Sequence, residues 1–145
     1  MKLETVLATK PPIVLTIAQD ETLGRALALL AEHDIGCLPV VEAPGRLVGM
    51  LSERDIVRAA ALGAVDLERE VATLMTRDVV QGSPGDDVEA LLAQMIAGRF
   101  RHLPVVDRGE LVGVVTVGDV VKARLDGLRG EVETLQTQVM EEPEA

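Results

Sequence analysis

The chain has 145 residues and a formal net charge of −10, which opposes binding to long nucleic acids or anionic membranes, because both require clustered lysine and arginine. Hydrophobic residues make up 48% of the chain, yet Phe100 is its single aromatic residue, so the core must be aliphatic. The scarcity of aromatic side chains removes the usual stacking surfaces for single-stranded nucleic acids, whereas a small anionic ligand needs only a few local cations.

The N-terminal segment, MKLETVLATKPP, lacks the basic-then-apolar profile of a signal peptide. No apolar run in the chain approaches the roughly 18 residues that are needed to span a bilayer. The lone cysteine, Cys37, cannot form an internal disulfide, and its place in an apolar run is typical of a small core residue. We therefore expect a cytoplasmic protein.

The first half of the chain predicts a unit with the order β-α-β-β-α. A β-branched run, IVLTI at 13–17, predicts a strand, and the following QDET introduces a helix. Two apolar strands, CLPVV and RLVGML, come next with a turn at Pro44-Gly45, and a second helix starts after Ser52. The apolar residues of the first helix recur at helical spacing: Leu23, Ala26, Leu27 and Leu30.

The second half repeats this unit, since CLPVVEAPGRLVGMLSERDIV aligns with HLPVVDRGELVGVVTVGDVV. A short DVV run predicts its first strand, SPGDD introduces its first helix, and Arg108-Gly109 supplies the turn between its other two strands. We predict one repeat at 7–63, a second at 72–128, and a C-terminal helical tail at 129–145.

The continuous apolar strands of both repeats predict sheets that are buried on both faces. Helices can cover only one face of each sheet, and the other repeat is the most compact cover for the opposite face. The predicted fold class is therefore α/β (α+β), with two β-α-β-β-α repeats packed sheet to sheet in pseudo-two-fold symmetry and a C-terminal helical extension.

A short turn motif recurs in both repeats, as GMLSERD at 49–55 and GVVTVGD at 113–119. A hydroxyl residue followed three positions later by an acidic residue forms a capping box, which satisfies free amides at a helix start. The same geometry also suits a ligand. A helix N-terminus attracts phosphate, and an aspartate accepts hydrogen bonds from both hydroxyls of a ribose. The motif alone leaves both interpretations open.

The doubled β-α-β-β-α unit, its LPVV strand and its G-x-x-[ST]-x-x-D turn resemble a tandem pair of CBS (cystathionine β-synthase) domains of the stand-alone bacterial type. Similar pairs form the adenine-nucleotide-sensing subunit of AMP-activated kinase and the regulatory inserts of inosine monophosphate dehydrogenases. The resemblance implies an energy-sensing regulatory module that binds AMP, ADP or ATP between its repeats and signals to a partner protein by conformational change.

The resemblance also implies ligand contacts at individual positions. The two turn aspartates match residues that hold ribose hydroxyls, the turn hydroxyls match residues near ribose and phosphate, and the basic pair before the second LPVV matches a phosphate contact. The first repeat has Gly36-Cys37 in place of that basic pair, so we expect tighter binding at the second repeat. The implied ligand-binding residues are Ser52, Arg54, Asp55, Arg101, His102, Pro104, Thr116 and Asp119.

Two other functions fit the same residues: an interaction or dimerisation module with degenerate pockets, or a binder of S-adenosylmethionine or NAD. Enzyme signals are missing, because the sequence has neither a Cys/His set with metal-ligand spacing nor a phosphate-binding P-loop. Cys37 and His102 lie at matched positions of different repeats, where neither orients the other. We therefore predict no enzymatic activity, no required cofactor and no metal.

Apolar residues on the first helix of each repeat exceed what one core-facing stripe needs. We expect these helices to form a homodimer, with added contacts from the tail. The helix residues concerned are Leu27, Leu29, Leu30, Leu91, Leu92, Met95 and Ile96. The tail carries a heptad stripe that fits either a coiled coil or a cover for the core. This stripe consists of Val121, Leu125, Leu128, Val132, Leu135 and Val139.

Overall fold

The computed structural model of the protein describes residues 1–63 and 65–141. The last four residues of the predicted tail, 142–145, lie outside the described residues. The first half contains helix α1 (Leu3–Leu7), helix α2 (Leu23–His33), strand β1 (Cys37–Glu42), strand β2 (Arg46–Ser52) and helix α3 (Glu53–Ala61). The second half contains a 3-10 turn (Val71–Thr73), helix α4 (Val88–Gly98), strand β3 (His102–Asp107), strand β4 (Glu110–Thr116) and helix α5 (Val117–Glu141).

Each half forms one two-stranded antiparallel hairpin, β1 with β2 and β3 with β4. Leu38 pairs with Leu51 in the first hairpin, and Leu103 pairs with Val115 at the matching place in the second. The register shifts after Val40 and, equivalently, after Val105. These strands, their antiparallel pairing and the mixed helix-strand fold class confirm the sequence-based prediction.

The turn between β3 and β4 contains only two residues, as its sequence predicts. Arg108 has φ 52° and Gly109 has φ 81°, so both central residues lie in the left-handed region. Two positive φ angles match the right-handed twist of the flanking strands in a tight hairpin. The first hairpin has a longer turn that ends at Gly45, whose carbonyl oxygen accepts a hydrogen bond from the Leu111 amide of the second hairpin.

The first strand predicted in each repeat is wrong, because neither forms: only Ile17 of the predicted 13–17 strand makes a bridge, and the bridge of the second repeat lies at Gly82, outside the predicted 78–80 strand. Ile17 bridges β1 and Gly82 bridges β3, both in the parallel sense. Upstream of Ile17, Pro11 and Pro12 have no N–H group to donate to a neighbouring strand. Residues 78–80, the predicted DVV strand, line the cleft between the two halves instead of pairing with β3.

The apolar core of each half is completed by a segment that precedes the hairpin of the other half. α1, which sequence patterns did not indicate, packs into the second core through the fully buried Leu3 and Val6. Val71 and Met75, which precede the second hairpin, pack into the first core in the same way. β2 and β4 also contact each other directly. The two repeats are therefore interlocked through exchanged segments as well as in contact through their sheets.

Most of the apolar surplus on α2 and α4 lies in these two cores. Leu29, Leu30, Leu91 and Met95 are all buried, so the broad exposed patch expected on these helices is wrong at those positions. The physical reason is that these side chains belong to the two core clusters that the exchanged segments complete. Ile96 is the one residue of the expected set that is strongly exposed, with 67% of its surface accessible.

α5 begins on the second unit and then extends away from it. Val120 is buried and Ala123 is half-buried against the second core, but the six residues of the heptad stripe are all exposed. Core cover is therefore not the role of the stripe. No helix within residues 1–63 and 65–141 combines the length and apolarity needed to cross a bilayer.

Gly49 and Gly113 lie at matched positions of the two repeats, but replacing each by alanine should lower the unfolding free energy by different amounts. A Cβ at Gly49 would lie 2.8 Å from the Thr76 carbonyl oxygen, which the Met50 amide already holds by a hydrogen bond. A Cβ at Gly113 would meet only the end of the Leu7 side chain, which can change rotamer. Gly49→Ala should therefore cost about 1–3 kcal/mol of unfolding free energy and Gly113→Ala clearly less. Urea denaturation of both variants checks this, and equal losses would contradict it.

Candidate functional site

The two repeated turns are capping boxes, which confirms one of the two interpretations of the motif. In the first, the Ser52 side chain accepts a hydrogen bond from the Asp55 amide at 3.2 Å, and Asp55 Oδ2 accepts one from the Ser52 amide at 3.0 Å. In the second, Thr116 and Asp119 exchange the equivalent bonds at 3.0 and 2.9 Å. Each strand is thereby joined rigidly to the helix that follows it.

A cleft of about 1220 Å³ lies between the two halves, and both capping turns reach it. Six of the eight residues implied as ligand contacts line this cleft: Ser52, Arg54, Asp55, Arg101, His102 and Thr116. Pro104 is buried in β3 and does not line it. Asp119 does not line it either, because another part of the chain engages its carboxylate.

The cleft concentrates positive charge in a protein that is acidic as a whole. Four arginines line it, against three carboxylates, so its balance is opposite in sign to the net charge of −10. Two of these arginines, Arg58 and Arg99, were not among the predicted ligand contacts. One signal was available, since Arg58 follows Arg54 by one helical turn on α3 and so shares its face. The arginines are Arg54, Arg58, Arg99 and Arg101, and the carboxylates are Glu53, Asp55 and Asp78.

One of these arginines also joins the two halves. Arg54 Nη1, on α3, donates a hydrogen bond of 3.0 Å to the carbonyl oxygen of Arg99, which lies at the end of α4. Arg99 itself has φ 55°, the left-handed conformation that ends many helices. The cations of the first unit are thus held next to the basic segment of the second.

Asp55 presents one carboxylate oxygen to the cleft. Its Oδ2 accepts from the Ser52 amide and hydroxyl, whereas Oδ1 has only a long contact of 3.5 Å with the Thr76 hydroxyl. Burial raises the pKa of the neighbouring Cys37 thiol to about 12, and the Asp55 charge adds to that rise. Cys37 therefore stays protonated at neutral pH, which supports its interpretation as a small structural residue rather than a reactive thiol.

Asp119 is held by an ion pair that sequence reasoning missed. Lys10 Nζ donates to Asp119 Oδ2 at 2.7 Å and to the backbone carbonyl oxygen of Val114. Burial alone would raise the pKa of Asp119, but the hydrogen bonds from Lys10 and the Thr116 amide, with the Lys10 charge, outweigh burial and lower that pKa below 3.8. No sequence signal could have linked two residues that lie 109 positions apart.

His102 crosses from the second unit to the first. A Cβ on Gly36 would lie 3.5 Å from His102 Cε1. The imidazole of His102 therefore packs directly against Gly36 of the first unit, where a larger side chain would leave it less room. Burial lowers the pKa of His102 below 6.5, and the Lys10 charge adds to this effect, while Asp119 and Glu53 oppose it. His102 is therefore mainly neutral at pH 7 and can donate one hydrogen bond.

The remaining surface of the cleft is apolar and suits a flat ring. It includes Val79 and Val80, whose segment was predicted as a strand. One residue of β2, one residue between α4 and β3, and the first residue of α5 complete it. The apolar lining consists of Met50, Val79, Val80, Phe100 and Val117. Within residues 1–63 and 65–141, no three His, Cys, Asp or Glu side chains lie close enough together to hold a metal ion.

Comparison with known proteins identifies relatives of similar size and fold. The sequence profile of the CBS domain matches residues 4–62 and 70–126. The CBS domain-containing protein YhcV of Bacillus subtilis (strain 168) is 36% identical over 107 residues, which cover 74% of this chain and 76% of that protein.

Two solved structures have the same overall arrangement. The CBS-domain containing protein ATU1752 from Agrobacterium tumefaciens superposes with a TM-score of 0.77 at 38% identity, over 85% of this chain and 92% of that one. The CBS domain pair of protein MJ0100, solved in complex with 5′-methylthioadenosine and S-adenosyl-L-methionine, gives a TM-score of 0.74 at 29% identity. This second match covers 89% of this chain and 98% of that one.

The Lys10–Asp119 ion pair predicts a pH-dependent stability difference. Lys10→Met should lower the unfolding free energy at pH 7, because Asp119 and the Val114 carbonyl lose their donor. The lowered pKa of Asp119 means that the ion pair stabilises the fold above the unfolded pKa and stops doing so as pH falls through the folded pKa. The gap between wild type and variant should therefore shrink from pH 7 to about pH 3.

Urea denaturation at several pH values measures this gap, and exposed Lys122 on α5 offers a matched control. Lys122→Met removes the same charge without touching Asp119, so its small effect on stability should change little across the same pH range. A Lys10→Met gap that stays constant down to acid pH would contradict the ion pair.

Proposed function

The chain belongs to the CBS domain family, and we propose that it is a regulatory module that binds AMP, ADP or ATP in the cleft between its two units. One observation carries the proposal: a ribose-type acceptor, Asp55, shares one cleft with four arginines and an apolar wall. CBS pairs are regulatory modules that bind small-molecule ligands. The nucleotide class is our proposal, supported by the chemistry of the side chains that face each other here.

Asp55 would hold the ribose. Its Oδ1 faces the cleft with only the long Thr76 contact, while Oδ2 is fixed by Ser52. A carboxylate fixed by its own capping box needs no reorganisation to accept hydrogen bonds from the two vicinal hydroxyls. The Thr76 hydroxyl is close enough to join the same network.

The arginines would hold the phosphate. Arg101 and Arg99 approach from the end of α4, and Arg54 and Arg58 approach from α3, so an anion between them would contact both units. A guanidinium binds a phosphate through two parallel N–H groups, which gives orientation as well as affinity. His102 would add one hydrogen bond. The first turn of α5 also reaches the cleft with the positive end of its dipole.

The purine would lie against the apolar wall formed by Met50, Val79 and Val80. Val79 and Val80 belong to a segment that forms no strand, and the Val79 amide is held within that segment by a hydrogen bond to the Arg77 carbonyl oxygen. The aliphatic side chains of this wall would bury the faces of the ring, and Phe100, the one aromatic residue of the chain, also lines the cleft.

Of the two turn aspartates, Asp55 lines the cleft and Asp119 does not. Arg101 and His102 line the cleft together with Asp55, whereas Asp119 is paired with Lys10 and lies off it. We therefore propose Asp55 as the principal ribose ligand. This reverses the expectation from the sequence, which joined the basic pair to Asp119 because the three residues belong to the same repeat.

An adenosyl ligand without phosphate is the second candidate. The structurally similar MJ0100 pair was solved with 5′-methylthioadenosine and S-adenosyl-L-methionine. Glu53 and Asp78 line the cleft here, and their negative charge would suit the sulfonium of the latter. Both candidates use Asp55 and the apolar wall, and they differ in whether the arginines are needed. NAD would engage the arginines through its pyrophosphate, and a module with degenerate pockets would bind none of these ligands.

Signalling would follow from the position of the ligand between the units. A nucleotide that contacts α3 of the first unit and the α4–β3 segment of the second would hold them in one arrangement, and a partner protein would bind that arrangement preferentially. We also propose that the module is a cytoplasmic homodimer without enzymatic activity. The acidic surface outside the cleft is consistent with the absence of nucleic-acid or membrane partners.

The ribose proposal predicts different effects at the two aspartates. Asp55→Asn should weaken AMP binding about tenfold or more, because a charged acceptor is lost, whereas Asp119→Asn should change it by less than about threefold. The asparagine side-chain oxygen can still accept the hydrogen bond from the Ser52 or Thr116 amide, so both variants should keep their fold. Isothermal titration calorimetry measures the affinities and thermal unfolding checks the folds. A larger loss at Asp119 would instead place the ribose at the second turn.

The phosphate proposal predicts that AMP binds more tightly than adenosine and that Arg101→Ala removes most of that difference. AMP affinity should fall about tenfold or more, while adenosine and 5′-methylthioadenosine affinities stay nearly constant. Arg25→Ala, on the exposed face of α2, removes the same charge away from the cleft and serves as the control. Equal affinities of the wild type for AMP and adenosine would rule out phosphate recognition and favour the second candidate.

A further inference from the structure

The second half of α5 is a helix with no cover in this structure. The helix runs from Val117 to Glu141, and its last contacts with the second core are Val120 and Ala123. Beside them, Arg124 forms an ion pair with Glu89 of α4. The segment from Arg124 to Glu141 then extends about 27 Å further at 1.5 Å per residue.

The exposed apolar residues of α5 form one continuous stripe. They are separated alternately by four and three positions, the spacing that keeps side chains on one face over several turns. Between 47% and 72% of each residue is accessible, so no part of residues 1–63 and 65–141 covers them. The α5 stripe consists of Val121, Leu125, Leu128, Val132, Leu135 and Val139.

The two glycines of the segment lie off the α5 stripe. With Leu125 and Val132 at heptad position a, and Leu128 at d, Gly127 falls at position c and Gly130 at position f. A Cβ at either glycine would meet no atom within 4 Å. The glycines weaken the helix without shaping the stripe, since each costs about 1 kcal/mol against alanine. A helix of this kind gains its stability from packing of the apolar face.

We propose that the α5 stripe pairs with the same stripe of a second copy of this chain, in a parallel two-stranded coiled coil. Valine occupies position a at Val132 and Val139, and leucine occupies position d at Leu128 and Leu135. β-branched residues at a with leucine at d are the combination that favours two parallel strands over higher oligomers. The stripe follows this combination from Leu128 to Val139, whereas Val121 at d and Leu125 at a reverse it, so the distal part of the stripe provides the preference for an identical helix as its occupant.

The flanking positions are compatible with this pairing. Glu131 at g faces Gln136 at e of the other helix, which allows a hydrogen bond. Arg124 at g faces Arg129 at e of the other helix, but Glu89 of its own chain already neutralises Arg124. The α5 stripe also begins one turn after the residues that line the cleft, so the coiled coil would continue directly from the ligand-binding body.

Analytical ultracentrifugation of the full chain, in the absence of any nucleotide, tests the proposal against a charge-matched control. Leu128→Glu/Leu135→Glu places charges in the seam and should weaken self-association about a hundredfold or more. Thr134→Glu/Thr137→Glu adds the same charge at outer positions c and f and should leave association near the wild type. A monomeric wild type, or equal behaviour of the two variants, would overturn the proposal.

Two further variants separate this seam from a dimer formed by the domains. Leu128→Cys should form an interchain disulfide under mild oxidation, because d residues face each other in a parallel pair, while Gly130→Cys at the outer position f should not. Gly127→Ala/Gly130→Ala should tighten association by about tenfold or more through helix propensity alone. Absence of the Leu128→Cys cross-link, or unchanged affinity of the alanine variant, would overturn the parallel coiled coil.

Discussion

Each of the two apolar cores is closed by a segment that comes from outside its own repeat. Leu3 and Val6 are needed to close the second core, and Val71 and Met75 are needed to close the first. A two-stranded hairpin with two helices has too little apolar surface to stand alone in water. Because each core is completed from outside its own repeat, neither unit can move freely, and the cleft between them is a built feature of the fold.

The same exchange makes the cleft asymmetric. The segment that follows the first exchanged helix carries Lys10, whose ammonium group reaches Asp119 and a carbonyl of β4. The corresponding segment of the second repeat carries Thr76, which pairs with β2 through its backbone and contacts Asp55 only weakly. Two nearly identical turns therefore present different chemistry: one carboxylate is neutralised by a lysine, and the other remains open beside the arginines.

α5 connects this cleft to the outside of the molecule. Its first turn is the second capping box, its next turn packs on the second core, and its remainder carries the exposed stripe. A rigid helix transmits displacement at one end to the other with little loss, which is one physical way to couple occupancy of a cleft to assembly. One chain would then combine a ligand site in the cleft, a helix, α5, that leads away from it, and an assembly interface at the α5 stripe.

The repeat was visible as two matching stretches of sequence, and the two hairpins, their turns and the capping boxes were predictable because each depends on residues that lie within a few positions of one another. Two of the residues predicted as ligand contacts, Arg101 and His102, line the cleft, and the spacing of the α5 stripe was also visible in the sequence. Three features emerge only in the folded chain: neither predicted first strand forms, α1 crosses to the second core, and Lys10 holds Asp119 across 109 positions. Such contacts depend on how distant segments pack, and local periodicity contains no record of that packing. The exposure of the stripe follows the same rule, since a heptad pattern specifies one face of a helix but not what covers it.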